Sequence, residues 1–101
     1  MIIQLVTRTF VNKKEANTFE LFFCNQWKDL IKGFPNCILR ILHNKDNLNT
    51  FNAVWEFPDR KTQNEVMKII KVNNKNYEGF IPKKTTNLSG EVSKQFVSYQ
   101  K

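Results

Sequence analysis

Apolar residues recur along this chain with two periods, and the alternation of those periods predicts strands and helices in turn. In residues 2–10 apolar side chains fall on both faces of a predicted strand, which is typical of a strand covered on both sides. In residues 16–34 they recur at spacings of three or four, which predicts an amphipathic helix. Asn12 and Glu15 resemble the capping box that begins a helix, and Gly33 is a natural stop.

The middle of the chain predicts a hairpin. Residues 37–43 form the second predicted strand, and the polar run 44–47 is short enough to join it antiparallel to a third strand. Pro58, which has no N–H to donate, ends that third strand. Every second residue before it is apolar, which places four side chains on one face: Phe51, Ala53, Trp55 and Phe57.

A second helix and a last strand complete the pattern. Asp59 is a suitable N-cap for a helix over residues 60–72. We interpret residues 83–90 as an irregular loop and residues 91–99 as the last strand. The order strand, helix, strand, strand, helix, strand predicts a ferredoxin-like α+β domain, βαββαβ, with a four-stranded antiparallel sheet and two helices on one face.

Both faces of this predicted sheet carry apolar residues. We expect one face to hold Ile2, Val6, Ile38, Leu42, Val54, Val92 and Phe96, and the other to hold Ile3, Leu5, Leu39, Ile41 and Trp55. Two helices cover only one face, and the apolar surface of the other exceeds what a sheet in contact with water normally carries. The sequence therefore predicts a homodimer joined through the sheet faces.

The composition fits one small globular domain, residues 1–101. Of the 101 residues, 41% are hydrophobic and 25% are charged, and three are Gly. These proportions exclude the disordered and fibrous classes. The formal charge of +7 comes mostly from lysines scattered along the chain, without a long basic run. We interpret it as general surface charge, so nucleic acid is a disfavoured partner.

Cysteine usage and hydropathy bear on metal binding and location. Cys24 and Cys37 are the only cysteines, and they form no metal-binding motif with the single histidine, so we expect free thiols and no metal. Gln4 interrupts the N-terminal apolar run, which is not typical of a signal peptide, and no apolar run approaches membrane-spanning length. These features predict a cytoplasmic protein without a membrane partner.

The third strand carries the most specific motif, Val54-Trp55-Glu56, which leads through a short break into an amphipathic helix. Together with the element order and the length, this motif resembles the antibiotic biosynthesis monooxygenase (ABM) family of dimeric α+β barrel proteins. The resemblance implies a homodimer with a pocket between sheet and helices, and it carries the family's Trp-Glu signature onto Trp55 and Glu56. It also implies an oxidoreductase, a monooxygenase that needs no cofactor and acts on a small aromatic or quinol-like substrate.

Catalytic residues of that family do not carry over. Haem-degrading relatives use an Asn on the first strand and a His in the second helix, whereas this chain has Thr7, Arg8 and Thr9 on the first strand and no His after His43. Some cofactor-free relatives have an Asn four residues before the Trp, where this chain has Phe51. Haem degradation by the family arrangement is therefore disfavoured, and the catalytic residues stay unassigned.

The candidates for substrate binding are Trp55, Phe51, Arg8, Arg40 and Tyr99. Trp55 either fills the core or forms a wall of the pocket. Arg8 and Arg40 lie on largely covered strands, so each needs an anionic partner, either Glu56 or a ligand. Tyr99 either hydrogen-bonds a phenolic substrate or caps the core.

For catalysis the sequence offers two candidates, His43 and Tyr77. His43 is the single histidine, and imidazole is a suitable base near neutral pH, but it lies where a strand meets a polar turn. Tyr77 either exchanges a hydrogen bond with a substrate or caps the core.

Two other classes of function remain open. A non-catalytic homodimeric domain of the same fold, which binds a ligand or regulates another protein, explains the same pattern. An RNA-binding module shares the element order, and residues 50–57 align with a strand that stacks bases. In that alignment Ala53 and Glu56 occupy positions that need aromatic residues, so RNA binding is the weaker alternative.

Overall fold

The computed structural model describes residues 1 to 100, and it shows a four-stranded antiparallel sheet with two helices on one face. The elements in chain order are β1 (Ile2–Thr9), α1 (Lys13–Leu30), β2 (Ile38–Leu42), β3 (Thr50–Phe57), α2 (Arg60–Lys75) and β4 (Lys84–Glu91). A short 3-10 turn, Ile31–Gly33, extends α1. The order across the sheet is β2-β3-β1-β4, so β1 and β3 are the central strands. This confirms the predicted ferredoxin-like α+β fold.

The register between strands decides which side chains lie beneath the helices. β1 pairs with β3 so that Ile2 lies opposite Phe57 and Val6 opposite Ala53. Ile2 and Val6 therefore share the helix-covered face with Trp55, so the predicted division of the apolar residues between two faces is wrong for β1. It is confirmed for β2 and β3, where Leu39 and Ile41 lie on the face of Trp55. The buried core on this face consists of Ile2, Val6, Phe10, Ala16, Phe19, Phe23, Trp27, Phe51, Ala53, Trp55, Phe57, Val66 and Ile70.

The opposite face, which neither helix covers and which we call the open face, mixes apolar and polar side chains. Its central row crosses the four strands through Leu88, Leu5, Val54 and Arg40. Beside this row Arg40 Nη1 lies 2.9 Å from Glu56 Oε1, and Thr7 donates a hydrogen bond of 3.0 Å to Asn52 Oδ1. The open face therefore has an apolar centre flanked by polar groups that are already paired.

The predicted position of the last strand, residues 91–99, is wrong. β4 is formed by Lys84–Glu91, and all of it except Glu91 lies in the segment predicted as a loop. Its pairing with β1 begins next to a backbone hydrogen bond of 2.7 Å from Lys83 N–H to Thr9 O. An edge strand whose side chains are exposed needs the hydrogen bonds of the sheet but no apolar side chains. The polar composition of β4 therefore gave no periodic signal.

The residues that follow β4, up to residue 100, form a tail without regular secondary structure. Val92 N–H donates the last backbone hydrogen bond to Met1 O at 2.9 Å. Beyond it, Phe96 is 92% exposed and Tyr99 is 84% exposed. The alternating apolar residues that predicted a strand here lie on the surface of the single chain, because β1 has already paired with β4.

Both helices begin where the sequence predicts. Asn12 Oδ1 accepts a hydrogen bond from Glu15 N–H at 2.9 Å, and Asp59 Oδ1 accepts one from Thr62 N–H at 2.8 Å. α2 ends at Lys75, beyond the predicted end at residue 72. Its Asn-rich last turn continues because extending an existing helix costs far less than starting one.

Asp59 gives the cap of α2 a dependence on pH. The hydrogen bond from Thr62 N–H holds the pKa of Asp59 below its ordinary value. A lowered folded-state pKa stabilises the fold above the unfolded-state pKa, and this contribution disappears as pH falls through the folded-state value. In urea unfolding, Asp59→Ala should therefore be less stable than the native chain at neutral pH, with the difference shrinking in acid.

Asp59→Asn is the matched control, because Asn caps helices without titrating. Its stability relative to Asp59→Ala should stay nearly constant over the same pH range. An Asp59→Ala difference that does not change with pH would contradict the assignment of the cap.

Candidate functional site

A cavity of about 450 Å³ lies between the covered face of the sheet and α2. We call it the α2 cavity. Five of its lining residues are apolar and five are polar or charged, and a combination of apolar wall with polar groups is typical of sites for small molecules. The cavity is lined by Val6, Arg8, Phe23, Trp55, Met67, Ile70, Lys71, Asn74, Lys75 and Asn87.

Trp55 lies at the floor of the α2 cavity and also belongs to the core. It is 0% exposed, its indole stacks on Phe57 with ring centroids 5.4 Å apart, and Trp27 meets it edge-on at 5.0 Å. Its Nε1–H has no hydrogen-bond partner among residues 1–100. Because Trp55 exposes no surface in the single chain, the structure supports the core interpretation and places the indole beneath the α2 cavity.

Arg8 is a buried cation on the covered face of β1. It is 8% exposed, and its guanidinium carbon lies 5.3 Å from the centroid of the Phe19 ring. Among the described residues, Arg8 forms no ion pair with a carboxylate. Glu56, its expected partner, pairs with Arg40. Burial lowers the pKa of Arg8, and no neighbouring acid opposes that change.

A second cavity, of about 230 Å³, shares Arg8 and Asn74 with the α2 cavity. We call it the Tyr77 cavity. The Tyr77 ring packs on Phe22 with centroids 4.2 Å apart, and its buried hydroxyl has no hydrogen-bond partner in the described part of the chain. Arg8 therefore lies at the boundary of two cavities. The Tyr77 cavity is lined by Arg8, Phe19, Asn74, Tyr77, Phe80, Ile81, Pro82 and Thr85.

The polar groups around these cavities are cationic or neutral. Lys71 and Lys75 line the α2 cavity, and no acidic residue lines either cavity. Amide side chains hold Asn87 in place, because Gln63 Nε2 donates to Gln4 Oε1 at 2.9 Å and Gln4 Nε2 donates to Asn87 Oδ1 at 3.2 Å. The arrangement favours an anion over a cation.

His43 lies outside both cavities. It follows the end of β2, and its Nε2 is 2.8 Å from Glu20 Oε1. This pair borders a separate depression of about 250 Å³ near the start of α1, which has no lining residue in common with the α2 or Tyr77 cavities. The structure therefore does not bring His43 and Tyr77 together.

The remaining binding candidates are spread over the molecule. Phe51 lies opposite Arg8 in the β1–β3 pair, but it is 1% exposed and enclosed by the aromatic rings of α1. Arg40 lies on the open face, and Trp55 lies on the opposite, covered face. Tyr99 lies on the exposed tail. The structure thus groups Arg8 with Trp55 and separates both from Arg40 and Tyr99.

The aromatic residues of β3 bear on the RNA-binding alternative. Phe51, Trp55 and Phe57 face the helices, and each is at most 1% exposed. An RNA-recognition motif instead stacks bases on aromatic residues of the open sheet face. The observation that supported RNA binding is therefore lost.

Sequence reasoning missed several residues that line or support the α2 cavity. Asn87 lies in the segment predicted as a loop, and Asn74 lies beyond the predicted end of α2. Gln63 is buried, but nothing in the sequence indicates this, because most other polar residues of α2 are exposed. One signal was visible, since Gln4 interrupts the apolar residues of a strand predicted to be covered on both sides, and a covered amide needs a polar partner.

Within residues 1–100, no group of three or more His, Cys, Asp and Glu residues is placed to hold a metal ion. Cys24 and Cys37 are free and half-buried, and burial raises the pKa of both thiols. Over the same residues, neither helix is long and apolar enough to cross a membrane.

No protein-family model and no curated protein matches this chain, whereas solved structures do. A dimeric ferredoxin-like protein from an uncultured marine organism is 14% identical over 97% of this chain and 100% of its own, with a TM-score of 0.68. A candidate antibiotic biosynthesis monooxygenase from Deinococcus radiodurans is 8% identical over 99% and 100%, with a TM-score of 0.70. A further antibiotic biosynthesis monooxygenase is 11% identical over 93% and 100%, with a TM-score of 0.65.

These likenesses concern the fold. The chain has the ferredoxin-like architecture of solved antibiotic biosynthesis monooxygenases and dimeric ferredoxin-like proteins, as the Val54-Trp55-Glu56 resemblance implied. Identities of 8% to 14% carry over the backbone arrangement and not a reaction.

Proposed function

We propose that this protein is a cofactor-independent monooxygenase that binds a small aromatic or quinol-like substrate in the α2 cavity. The cavity itself carries the proposal: its volume of about 450 Å³ suits a fused-ring aromatic compound. Phe23, Trp55 and Met67 supply apolar wall, and Arg8 and Asn74 supply polar groups that fix an orientation. The likeness to solved monooxygenases adds support at the level of fold.

In the proposed reaction the substrate supplies all four electrons that reduce O₂, so no external reductant is needed. A CH₂ group between aromatic rings loses two hydrogens, one oxygen atom becomes the new carbonyl oxygen, and the other leaves with those hydrogens as water. Of the two catalytic candidates, Tyr77 fits this step better than His43, because it lines the cavity that adjoins the α2 cavity at Arg8. Its hydroxyl is the group we propose to exchange a proton with the substrate.

A non-catalytic domain that binds a ligand or regulates another protein is the second candidate. The lining of the cavities favours it, because neither the α2 cavity nor the Tyr77 cavity is lined by His, Asp, Glu or Cys. General bases are most often drawn from His, Asp and Glu. If Tyr77 does not transfer a proton, the site can bind and orient a ligand but contains no evident general base.

We expect a quinol to change the fluorescence of Trp55. The variant Trp27→Phe leaves Trp55 as the single indole. An oxygen-free titration with naphthoquinol should change its emission to saturation, because a ligand in the α2 cavity changes the surroundings of the indole beneath it. The variant Trp55→Phe, which keeps Trp27, is the control and should respond less. If naphthoquinol leaves the Trp55 signal unchanged at millimolar concentration in a folded protein, both ligand-binding proposals fail.

Oxygen uptake separates the enzyme from the binding domain. With anthrone as substrate, we expect consumption of one O₂ per anthraquinone formed, faster than in a control with heat-unfolded protein. The variant Tyr77→Phe should retain binding and lose about tenfold or more in rate, since proton transfer contributes at least that much to such reactions. Saturable binding of anthrone with uptake no faster than the control would favour the non-catalytic domain.

We propose in addition that the protein is a homodimer joined through the open faces of two sheets. Leu5, Val54 and Leu88 form a contiguous apolar centre on that face, and isologous pairing of two such centres removes them from water. Two of the structures that share this fold are described as dimeric.

We propose the cytoplasm as the location. Cys24 and Cys37 are free, and their side chains are half-buried. Free thiols of this kind fit a reducing compartment better than an oxidising one. Native mass determination after expression in an oxidising and in a reducing compartment tests this, with unpaired thiols and a single mass expected in the latter.

A further inference from the structure

The charge state of the ligand can be deduced from Arg8. We infer that the ligand of the α2 cavity is an aromatic compound bearing a carboxylate, and that this carboxylate binds the Arg8 guanidinium. The inference rests on the proposed function, since it takes a ligand in the α2 cavity as given and specifies its chemical class.

Arg8 is a charged residue that is almost completely buried. Its residue is 8% exposed, so its guanidinium has lost most of its hydration. The Phe19 ring at 5.3 Å offers a cation–π contact, which replaces only part of that hydration. Buried charges in proteins are normally paired with an opposite charge.

Within the described residues, the chain does not supply this opposite charge. Glu56 is held by Arg40 at 2.9 Å on the open face, and Glu20 is held by His43 at 2.8 Å beside a different depression. No Asp or Glu lines the α2 cavity or the Tyr77 cavity, which are the two spaces that Arg8 borders. The anionic partner of Arg8 is therefore expected to be part of a bound ligand.

The groups around Arg8 indicate which kind of anion would bind there. Lys71 and Lys75 add positive charge to the α2 cavity, and Asn74 adds an amide at the boundary where Arg8 lies. A guanidinium fork binds both oxygens of a carboxylate at once. Phe23 and Met67 give the same cavity apolar wall, which suits a ring attached to that carboxylate. Together these groups match an aromatic carboxylate.

A matched pair of probes tests the inference on the native protein. Calorimetric titrations with 2-naphthoate and with 2-naphthamide compare two ligands of nearly equal shape that differ in charge. We expect 2-naphthoate to bind about tenfold or more tightly, because a hydrogen-bonded charge pair in a desolvated site contributes at least that factor. Equal affinities, or tighter binding of the amide, would overturn the inference while leaving the proposed function intact. If neither probe binds at millimolar concentration, both are overturned.

Variants of the two arginines locate the effect. Arg8→Gln removes the charge in the cavity and should abolish the preference for 2-naphthoate, whereas Arg8→Lys should retain part of it. Arg40→Gln removes the same charge from the open face and should leave the preference unchanged. A preference that survives in folded Arg8→Gln would assign it to surface lysines and overturn the role of Arg8. If Arg8→Gln does not fold, the Arg8→Lys variant provides the test. An unchanged preference for 2-naphthoate in Arg8→Lys would exclude a bidentate contact between the Arg8 guanidinium and the carboxylate.

Discussion

Replacing Trp55 by Ala is expected to lower the free energy of unfolding by about 3–5 kcal/mol, the range for removal of a large buried aromatic side chain. The residue is 0% exposed and lies between the rings of Phe57 and Trp27. Its removal would join the space it leaves to the α2 cavity, so the surrounding side chains could not close it. Urea unfolding followed by circular dichroism measures the change.

Trp55→Phe is the matched control for this loss. Phe keeps an aromatic ring in the site and removes an indole N–H that has no hydrogen-bond partner among the described residues. We therefore expect Phe to restore most of the stability. A loss well under 1 kcal/mol for Trp55→Ala would contradict the central position of Trp55, since exposed positions typically lose no more than about 0.5 kcal/mol.

A charge in the centre of the open face is expected to convert the proposed dimer into a monomer. Leu5 lies in register with Val54 on one side and Leu88 on the other. In a dimer with two-fold symmetry, Leu5→Asp would bury two carboxylates in one interface. Arg40, the cation in the same row, is already paired with Glu56. Two buried carboxylates without partners cost more than most interfaces provide. Sedimentation equilibrium should show the mass falling from twice 12.0 kDa to 12.0 kDa.

Asn64→Asp adds the same charge on the exposed surface of α2 and should leave the dimer unchanged. Circular dichroism of Leu5→Asp should match that of the native chain, because Leu5 is only half-buried in the single chain. A native protein that sediments as a monomer at micromolar concentration would overturn the homodimer. So would a Leu5→Asp variant that remains dimeric.

Local chemistry explains why much of the fold was predictable. The stripe of α1, the caps Asn12 and Asp59, and the alternating residues of β3 each depend on neighbours close in sequence. Strands with that order and connections of that length admit few topologies, and the observed sheet is one of them. The position of β4 was not predictable in this way, because an exposed edge strand carries no apolar period.

The candidate site was predictable in part. Trp55 and Arg8 were identified from sequence because a large aromatic and a cation on covered strands both need specific surroundings. Asn74, Asn87 and Lys71 were not, because polar residues near the end of α2 and on an edge strand look like ordinary solvent-exposed residues.

By itself the sequence determined the two helices, the first three strands and the residues with apolar or charged character, since these follow from periodicity and local hydrogen bonding. Tertiary structure alone decided the phase between strands, which places Ile2 and Val6 beneath the helices with Trp55. It also decided that Glu56 pairs with Arg40 on the open face, which leaves Arg8 without a carboxylate from the described chain. The physical reason is that a side chain's face depends on register, and a shift of one residue moves every side chain of a strand to the other face.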